Sequence, residues 1–142
     1  ENAGSQRQSV QPVTIPDTIL SNTQIEVLNL MGNQLTGGFP AAVAGMSSLK
    51  YLNLSENAIG GTIPDLSALT NLISLSAWQC ELTGTIPETL YTLSGLQILD
   101  LSENKLEAKS LPVLLIWQTC NISRWTRILC AVYYRTHLRR LR

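Results

Sequence analysis

Apolar and polar residues follow a pattern along most of the chain that repeats every 23 or 24 residues. Each copy reads LxxLxLxxNxLxGxIPxxLxxLxx. Complete copies start at Ile25, Leu49 and Leu72, a half copy covers residues 13–24, and a degraded copy starts at Leu96. A unit this short cannot bury its own apolar face, so successive copies must stack on one another. The pattern therefore predicts a solenoid.

The first half of each copy predicts a short β-strand with one buried face, because apolar residues at the fourth and sixth places alternate with polar ones. The side chains expected to point inward are Leu28, Leu30, Leu52, Leu54, Leu75, Ala77, Leu99 and Leu101. Asparagine ends most of these strands, and Cys80 takes its place in the third copy. The expected fold is an α/β-type repeat, a solenoid with a curved parallel β-sheet on its concave face and short helical or irregular convex segments.

The third, fifth, seventh and eighth residues of each copy are expected on the concave face, where packing does not restrict them. The candidate binding residues on this face are Asn29, Met31, Tyr51, Asn53, Ser55, Ser74, Ser76, Trp78, Gln79, Asp100 and Ser102. Tyr51 and Trp78 belong to adjacent copies and are expected to lie close together, since neighbouring strands are about 4.8 Å apart. Such aromatics among serines and asparagines suit a protein hot spot or a sugar-stacking platform, although isolated exposed aromatics are also ordinary.

The second half of the unit resembles a known family. The segments TGTIPETL (83–90) and GGTIPDL (60–66) are similar to the leucine-rich repeats of plant-type extracellular proteins. These proteins include receptor-like kinase ectodomains, receptor-like proteins and polygalacturonase-inhibiting proteins, and similar repeats occur in algal L domain-like proteins. The resemblance covers about residues 13–107 and implies a recognition role outside the cell or at its surface, without naming a ligand. The cysteine-bearing cap common in such ectodomains is not seen in residues 1–12, and no kinase domain is present in this sequence.

The repeat pattern stops after Leu106, and the composition changes soon afterwards. Residues 1–112 carry four basic residues against ten acidic ones, a net charge of −6, whereas residues 113–142 carry six arginines and no acid. We therefore divide the chain into a polar segment 1–12, a solenoid 13–112 and a basic tail 113–142. Three interpretations of the tail remain open: a cap over the last core layer, an amphipathic segment that binds anionic membrane or nucleic acid, or a gene-model artefact.

Catalysis, metal binding and cofactor binding find little support in the sequence. The single histidine, His137, lies in the basic tail, so a nucleophile–histidine pair would require the tail to fold against the solenoid. The three cysteines have no CxxC spacing. No metal and no cofactor is therefore expected, and the protein is not expected to be an enzyme. Cys120 and Cys130 are a candidate disulfide if the chain is secreted.

Two triplets, Asn53-Leu54-Ser55 and Asn121-Ile122-Ser123, match the acceptor sequence for N-linked glycosylation, a pattern that also arises often by chance. Asn53 is expected in the middle of a concave strand, where a glycan would block the surface offered to a ligand. Either Asn53 is unmodified or the concave face is not the binding surface.

We interpret the chain as a non-catalytic recognition module that binds a protein or glycan partner through its concave face, as part of a longer receptor-like protein. The alternatives are an ectodomain fragment of a receptor-like protein kinase and an intracellular repeat scaffold. Apolar residues make up 44% of the chain and charged residues 14%, which suits a folded domain. No apolar run is long enough to span a membrane, and the sequence shows no signal peptide. The expected location is extracellular or at the cell surface, with membrane attachment through further sequence, and no nucleic-acid partner is expected.

Overall fold

The computed structural model describes residues 13–107. Short elements alternate with long connecting segments along this range. In chain order they are α1 (Asp17–Leu20), β1 (Val27–Asn29), a 3-10 helix (Ala41–Gly45), β2 (Tyr51–Asn53), β3 (Ser74–Ser76), a second 3-10 helix (Glu88–Thr92) and β4 (Ile98–Asp100). Each strand occupies the same place in its repeat, and the helical turns follow the prolines on the opposite side of the coil. The architecture is the predicted leucine-rich-repeat solenoid with short helical convex segments.

The four strands form one parallel sheet in the order β1-β2-β3-β4. Equivalent residues of successive copies are paired, as in Leu28 with Leu52, Leu52 with Leu75 and Leu75 with Leu99. Hydrogen bonds between copies continue after each strand ends. The Leu54 N–H, for example, donates to the Ser76 carbonyl oxygen at 2.8 Å. Backbone groups of one repeat are thus satisfied by the next repeat, as stacking requires.

One apolar core runs the length of the coil between the sheet and the convex segments. Seven of the eight side chains expected to point inward are buried, and the eighth, Leu30, is partly buried against the same core. The convex segments close the core from the other side with Val43, Met46, Leu69, Leu90 and Leu93. The predicted strand register is therefore confirmed for all four strands.

Asparagine side chains join consecutive repeats. The Asn57 side-chain amide donates to the carbonyl oxygens of Leu54 and Ser55 within its own repeat, and to that of Leu30 in the preceding one. Its Oδ1 accepts the Leu35 N–H at 3.0 Å. Asn104 makes the equivalent bonds further along the coil. A single side chain thereby satisfies several backbone groups that the turn removes from the sheet.

Cys80 fills the asparagine position of the third copy with a weaker group. Its thiol is fully buried and lies 3.1 Å from the Leu54 carbonyl oxygen. Burial raises the pKa of this thiol, because the charged thiolate would lose its hydration. Cys80 therefore packs as a small apolar residue with one weak hydrogen-bond donor, and it stays protonated at neutral pH.

Left-handed backbone conformations occur at two fixed places in the repeat. The glycines at the thirteenth position, Gly37, Gly61 and Gly84, have φ values of 94°, 72° and 71°. The eighth position is also left-handed, although only the first copy has glycine there, and Glu56 has a φ of 57°. A side chain in this region is strained, so the stacked repeats must hold the turn in place.

The basic tail and the polar N-terminal segment lie outside the described residues. The predicted boundary at residue 112, the candidate Cys120–Cys130 disulfide, the Asn121 acceptor site and His137 fall there as well. Within residues 13–107, no helix is long and apolar enough to cross a bilayer.

We expect Leu75→Ala to lower the free energy of unfolding by about 2–5 kcal/mol, because it leaves a cavity in a core that closes around this side chain. The matched control is Ile98→Ala, since Ile98 lies in the same sheet with 54% of its surface exposed. The control should change stability by about 0.5 kcal/mol or less. Urea denaturation of the full chain measures both values, and equal effects would contradict the register.

Asn57→Ala should cost about 2 kcal/mol or more, because each buried backbone group left without a partner costs about 1–3 kcal/mol. Asn33 is its counterpart in the first copy and donates to two carbonyl oxygens, but its side chain is exposed. Water can replace those bonds, so Asn33→Ala should cost roughly 1 kcal/mol or less. Parallel denaturation of the two variants tests whether burial separates them. A smaller loss for Asn57→Ala than for Asn33→Ala would mean that the bonds between repeats are dispensable.

Candidate functional site

The third position of each repeat forms an exposed row at the start of the strands. The sheet register aligns Val27, Tyr51, Ser74 and Ile98 in this row. Val27 is 61% exposed, Ile98 54% and Tyr51 44%. None of these three side chains contributes to the core, so the row leaves apolar and aromatic surface open to solvent. It is the most apolar part of the concave face.

The fifth position lies next to this row and is polar in every copy. The Oδ1 atoms of Asn29, Asn53 and Asp100 each accept the backbone N–H of the residue two places further on, at 3.2, 3.0 and 3.1 Å. Ser76 occupies this position in the third copy. There the corresponding N–H, that of Trp78, donates instead to Ser55 Oγ at 3.2 Å. The fifth-position carboxamides and carboxylate therefore hold the ends of β1, β2 and β4 while facing the concave side.

The seventh position does not form the continuous exposed row that the alternation pattern predicted. Met31 is exposed and Trp78 is partly buried, but Ser55 is fully buried and Ser102 nearly so. The expectation that Ser55 and Ser102 face a ligand is therefore wrong. Their hydroxyl groups are used internally, because Ser55 Oγ accepts the Trp78 N–H and Ser102 Oγ donates to Asp100 Oδ1 at 2.6 Å. Period-two alternation fails here because the strand has already ended at the fifth position.

Tyr51 and Trp78 do not occupy paired positions of the sheet, and their expected proximity stays a prediction. The register pairs Tyr51 with Ser74, four residues before Trp78. At about 3.3 Å per extended residue, the offset along the strands is roughly 10–13 Å. The backbone positions of the two aromatics are therefore offset along the strands, with those of Asn53 and Ser76 between them.

A groove of about 920 Å³ adjoins the eighth position on the flank of the coil. Gln79, one of the predicted binding residues, lines it together with Glu56, Glu81, Asn33 and Gln34. Gln79 is the only predicted binding residue of these five; Glu81, Asn33 and Gln34 occupy the ninth and tenth positions of their copies. The repeat spacing could have indicated them, but only the left-handed turn at the eighth position brings them to the same side.

Few ion pairs accompany these surfaces in the described range. Lys50 Nζ lies 2.9 Å from Glu26 Oε2 beside the apolar row, and Lys105 Nζ lies 3.7 Å from Glu81 Oε2 near the groove. Both pairs are exposed, so they contribute little to stability. Residues 13–107 hold no group of three or more His, Cys, Asp or Glu side chains placed to bind a metal ion. What the concave face offers is apolar contact and hydrogen bonding.

Two sequence families match the chain, both described as leucine-rich repeats. One matches residues 23–77 and the other residues 95–117. A receptor protein kinase of rice (Oryza sativa subsp. japonica), WSS1, is 42% identical over 55 residues. That alignment covers 39% of this chain and 6% of the kinase. The chain thus corresponds to a small part of this relative.

Solved structures of plant receptors share the fold. The plant peptide hormone receptor RGFR1, solved in complex with RGF2, is 38% identical with a TM-score of 0.63, over 66% of this chain and 15% of the receptor. The ectodomain of the Arabidopsis thaliana receptor kinase SOBIR1 is 36% identical with a TM-score of 0.63, over 68% of this chain and 53% of that structure. The family matches, the parallel sheet and these receptor structures together lead to one assignment: the chain belongs to the plant-type leucine-rich-repeat family.

Proposed function

We propose that this chain is a non-catalytic recognition module that binds a partner through the concave face of its solenoid. The observation that carries the proposal is the exposed third-position row, in which Val27, Tyr51 and Ile98 stand on a rigid sheet without any role in the core. Because strand pairing already fixes the backbone of this row, binding adds no cost of ordering the backbone there. The polar fifth position beside the row adds carboxamide groups that donate and accept hydrogen bonds.

A protein or peptide partner is better supported than a glycan. RGFR1 is a peptide hormone receptor, and its structure contains RGF2. The offset of roughly 10–13 Å between the backbone positions of Tyr51 and Trp78 also favours an extended ligand that follows the direction of the strands. A glycan that stacks on one of them remains the second candidate.

The relatives favour a specific context for such binding. WSS1 is a receptor protein kinase, and SOBIR1 is a receptor kinase whose ectodomain has the same fold. We infer that this chain is part of a receptor-like protein, located outside the cell or at its surface, with a kinase domain as the alternative continuation. The complete reading frame tests this inference: an apolar helix of about 20 residues followed by a glycine-rich kinase loop would assign it to a receptor kinase.

We expect Trp78 and Tyr51 to be the most costly concave residues to truncate. Binding would first be detected by screening the full chain against secreted plant peptides, cell-surface ectodomains and cell-wall polysaccharides. Trp78→Ala or Tyr51→Ala should then weaken binding by about 2 kcal/mol, roughly 30-fold in Kd, because interface hot spots are enriched in these residues. Isothermal titration calorimetry gives the affinity.

The matched control for both variants is Glu88→Ala, an exposed residue of the second 3-10 helix on the convex side. It should change Kd by less than about twofold, because surface positions outside an interface contribute little to binding. Trp78 is partly buried, so its variant is first shown to unfold cooperatively. A partner that binds Trp78→Ala and Tyr51→Ala with unchanged affinity would exclude the concave face and direct attention to the flank groove.

A further inference from the structure

Asn53 differs from the asparagines that join the repeats in what its side-chain nitrogen does. The Asn57 Nδ2 donates to three carbonyl oxygens, and Asn104 Nδ2 does the same. The Asn53 Nδ2 instead lies 3.7 Å from the thioether sulfur of Met31, an exposed residue and a weak acceptor. The hydrogen bond by which Asn53 stabilises the backbone is made by Oδ1, which accepts the Ser55 N–H at 3.0 Å. The fold therefore leaves the nitrogen of Asn53 available for substitution.

Asn53 is also the first residue of the acceptor triplet Asn53-Leu54-Ser55. The hydroxyl residue of this triplet, Ser55, is inaccessible in the folded chain. Ser55 is fully buried, and its Oγ accepts the Trp78 N–H from the next repeat at 3.2 Å. An enzyme that requires the hydroxyl residue of the acceptor triplet cannot reach it once the third repeat has stacked on the second. After folding, Asn53 Nδ2 stays near the surface, whereas the Ser55 hydroxyl that the transfer enzyme requires is buried.

We propose that Asn53 is an N-glycosylation site that is modified only before the second and third repeats close. In the transfer, Asn53 Nδ2 forms a bond to C1 of an oligosaccharide carried on a lipid pyrophosphate. The C1–oxygen bond to the pyrophosphate breaks, the lipid pyrophosphate leaves, and Nδ2 gives up one proton. The product keeps its Oδ1, so the hydrogen bond to the Ser55 N–H is retained and the glycosylated chain can still fold.

The proposed modification of Asn53 rests on the proposed function, and in particular on the location outside the cell or at its surface. The chain encounters the transfer enzyme only if it is secreted. Transfer competes with repeat closure, so a secreted preparation contains two populations. Chains that fold first keep the polar centre of the concave face bare, between the third-position row and Trp78. Chains that are modified first carry a sugar there, and they cannot place a partner across the face. Glycan occupancy at Asn53 would thereby set the fraction of chains competent to bind.

A matched acceptor site can be created in the chain itself. Asn22 has the same local geometry as Asn53, since its Oδ1 accepts the Gln24 N–H at 3.0 Å. Residues 22–24 are all exposed, however. The substitution Gln24→Ser completes an acceptor triplet that begins at Asn22 and ends in serine as the Asn53 triplet does, and its new hydroxyl is reachable in the folded chain. The two sites then differ in burial of the hydroxyl residue while sharing the carboxamide geometry.

The test uses the full chain with Gln24→Ser in two settings. In the first, the chain is expressed behind a cleavable secretion leader in eukaryotic cells. Occupancy of each site is then read by mass spectrometry after enzymatic glycan removal in heavy-oxygen water. Both Asn22 and Asn53 should be occupied, and Asn53→Asp should abolish the second signal without unfolding the protein, because Asp100 fills the same position naturally with its Oδ1 on the Ser102 N–H.

In the second setting, glycan-free folded chain is incubated with a purified single-subunit oligosaccharyltransferase and its lipid-linked donor. Asn22 should be modified at least about ten times faster than Asn53, since Asn53 must await local opening of the repeats. Denaturing the chain beforehand should remove that difference. If the secreted chain carries a glycan at Asn22 but none at Asn53, Asn53 is not a glycosylation site. If the folded chain is modified at Asn22 and Asn53 at equal rates, modification of Asn53 does not depend on closure of the repeats. Neither measurement involves a partner, so both stand apart from the binding test.

Discussion

Stacking of units that cannot fold alone is the constraint on which this structure depends. Each repeat contributes a strand of three residues, too short to be stable by itself, and one side of a core that only its neighbours can close. The inter-repeat bonds of Asn57 and Asn104 show how closely this stacking is specified, because each side chain satisfies backbone groups on two repeats. Every other feature follows from the requirement that successive turns keep the same register.

Stacking also determines which residues are left for recognition. The short strand turns only its third and fifth residues fully toward the concave side, and the fifth is partly committed to holding the strand end through its Oδ1. The third-position row therefore contributes least to folding among the concave rows, and it carries the exposed Val27, Tyr51 and Ile98. The residues of the proposed ligand surface and the residues of the core occupy different positions within a unit, so the exposed ones can vary without loss of the core.

Two departures from the consensus fall in the third repeat, where the functional proposals meet. Ser76 replaces the carboxamide of the fifth position, and the Trp78 N–H turns to Ser55 of the previous repeat. Cys80 replaces the asparagine at the end of the strand and supplies a weaker donor. The Ser55–Trp78 bond buries the hydroxyl of the Asn53 triplet and at the same time fixes the backbone of Trp78. The proposed binding site and the proposed modification site are thus linked through one contact between repeats.

The sequence by itself determined the fold, because its 23- and 24-residue period and the alternation within each strand admit one way of burying the leucines. It placed Leu75 inward and Tyr51 outward correctly, since both depend only on strand register. Two features of the site were decided by the tertiary structure: the burial of Ser55 and Ser102, and the groove beside Gln79. They depend on where each strand ends and on the left-handed turn that follows. Non-glycine residues adopt a positive φ in that turn, and hydrogen bonds within the repeat and from the neighbouring repeats stabilise it.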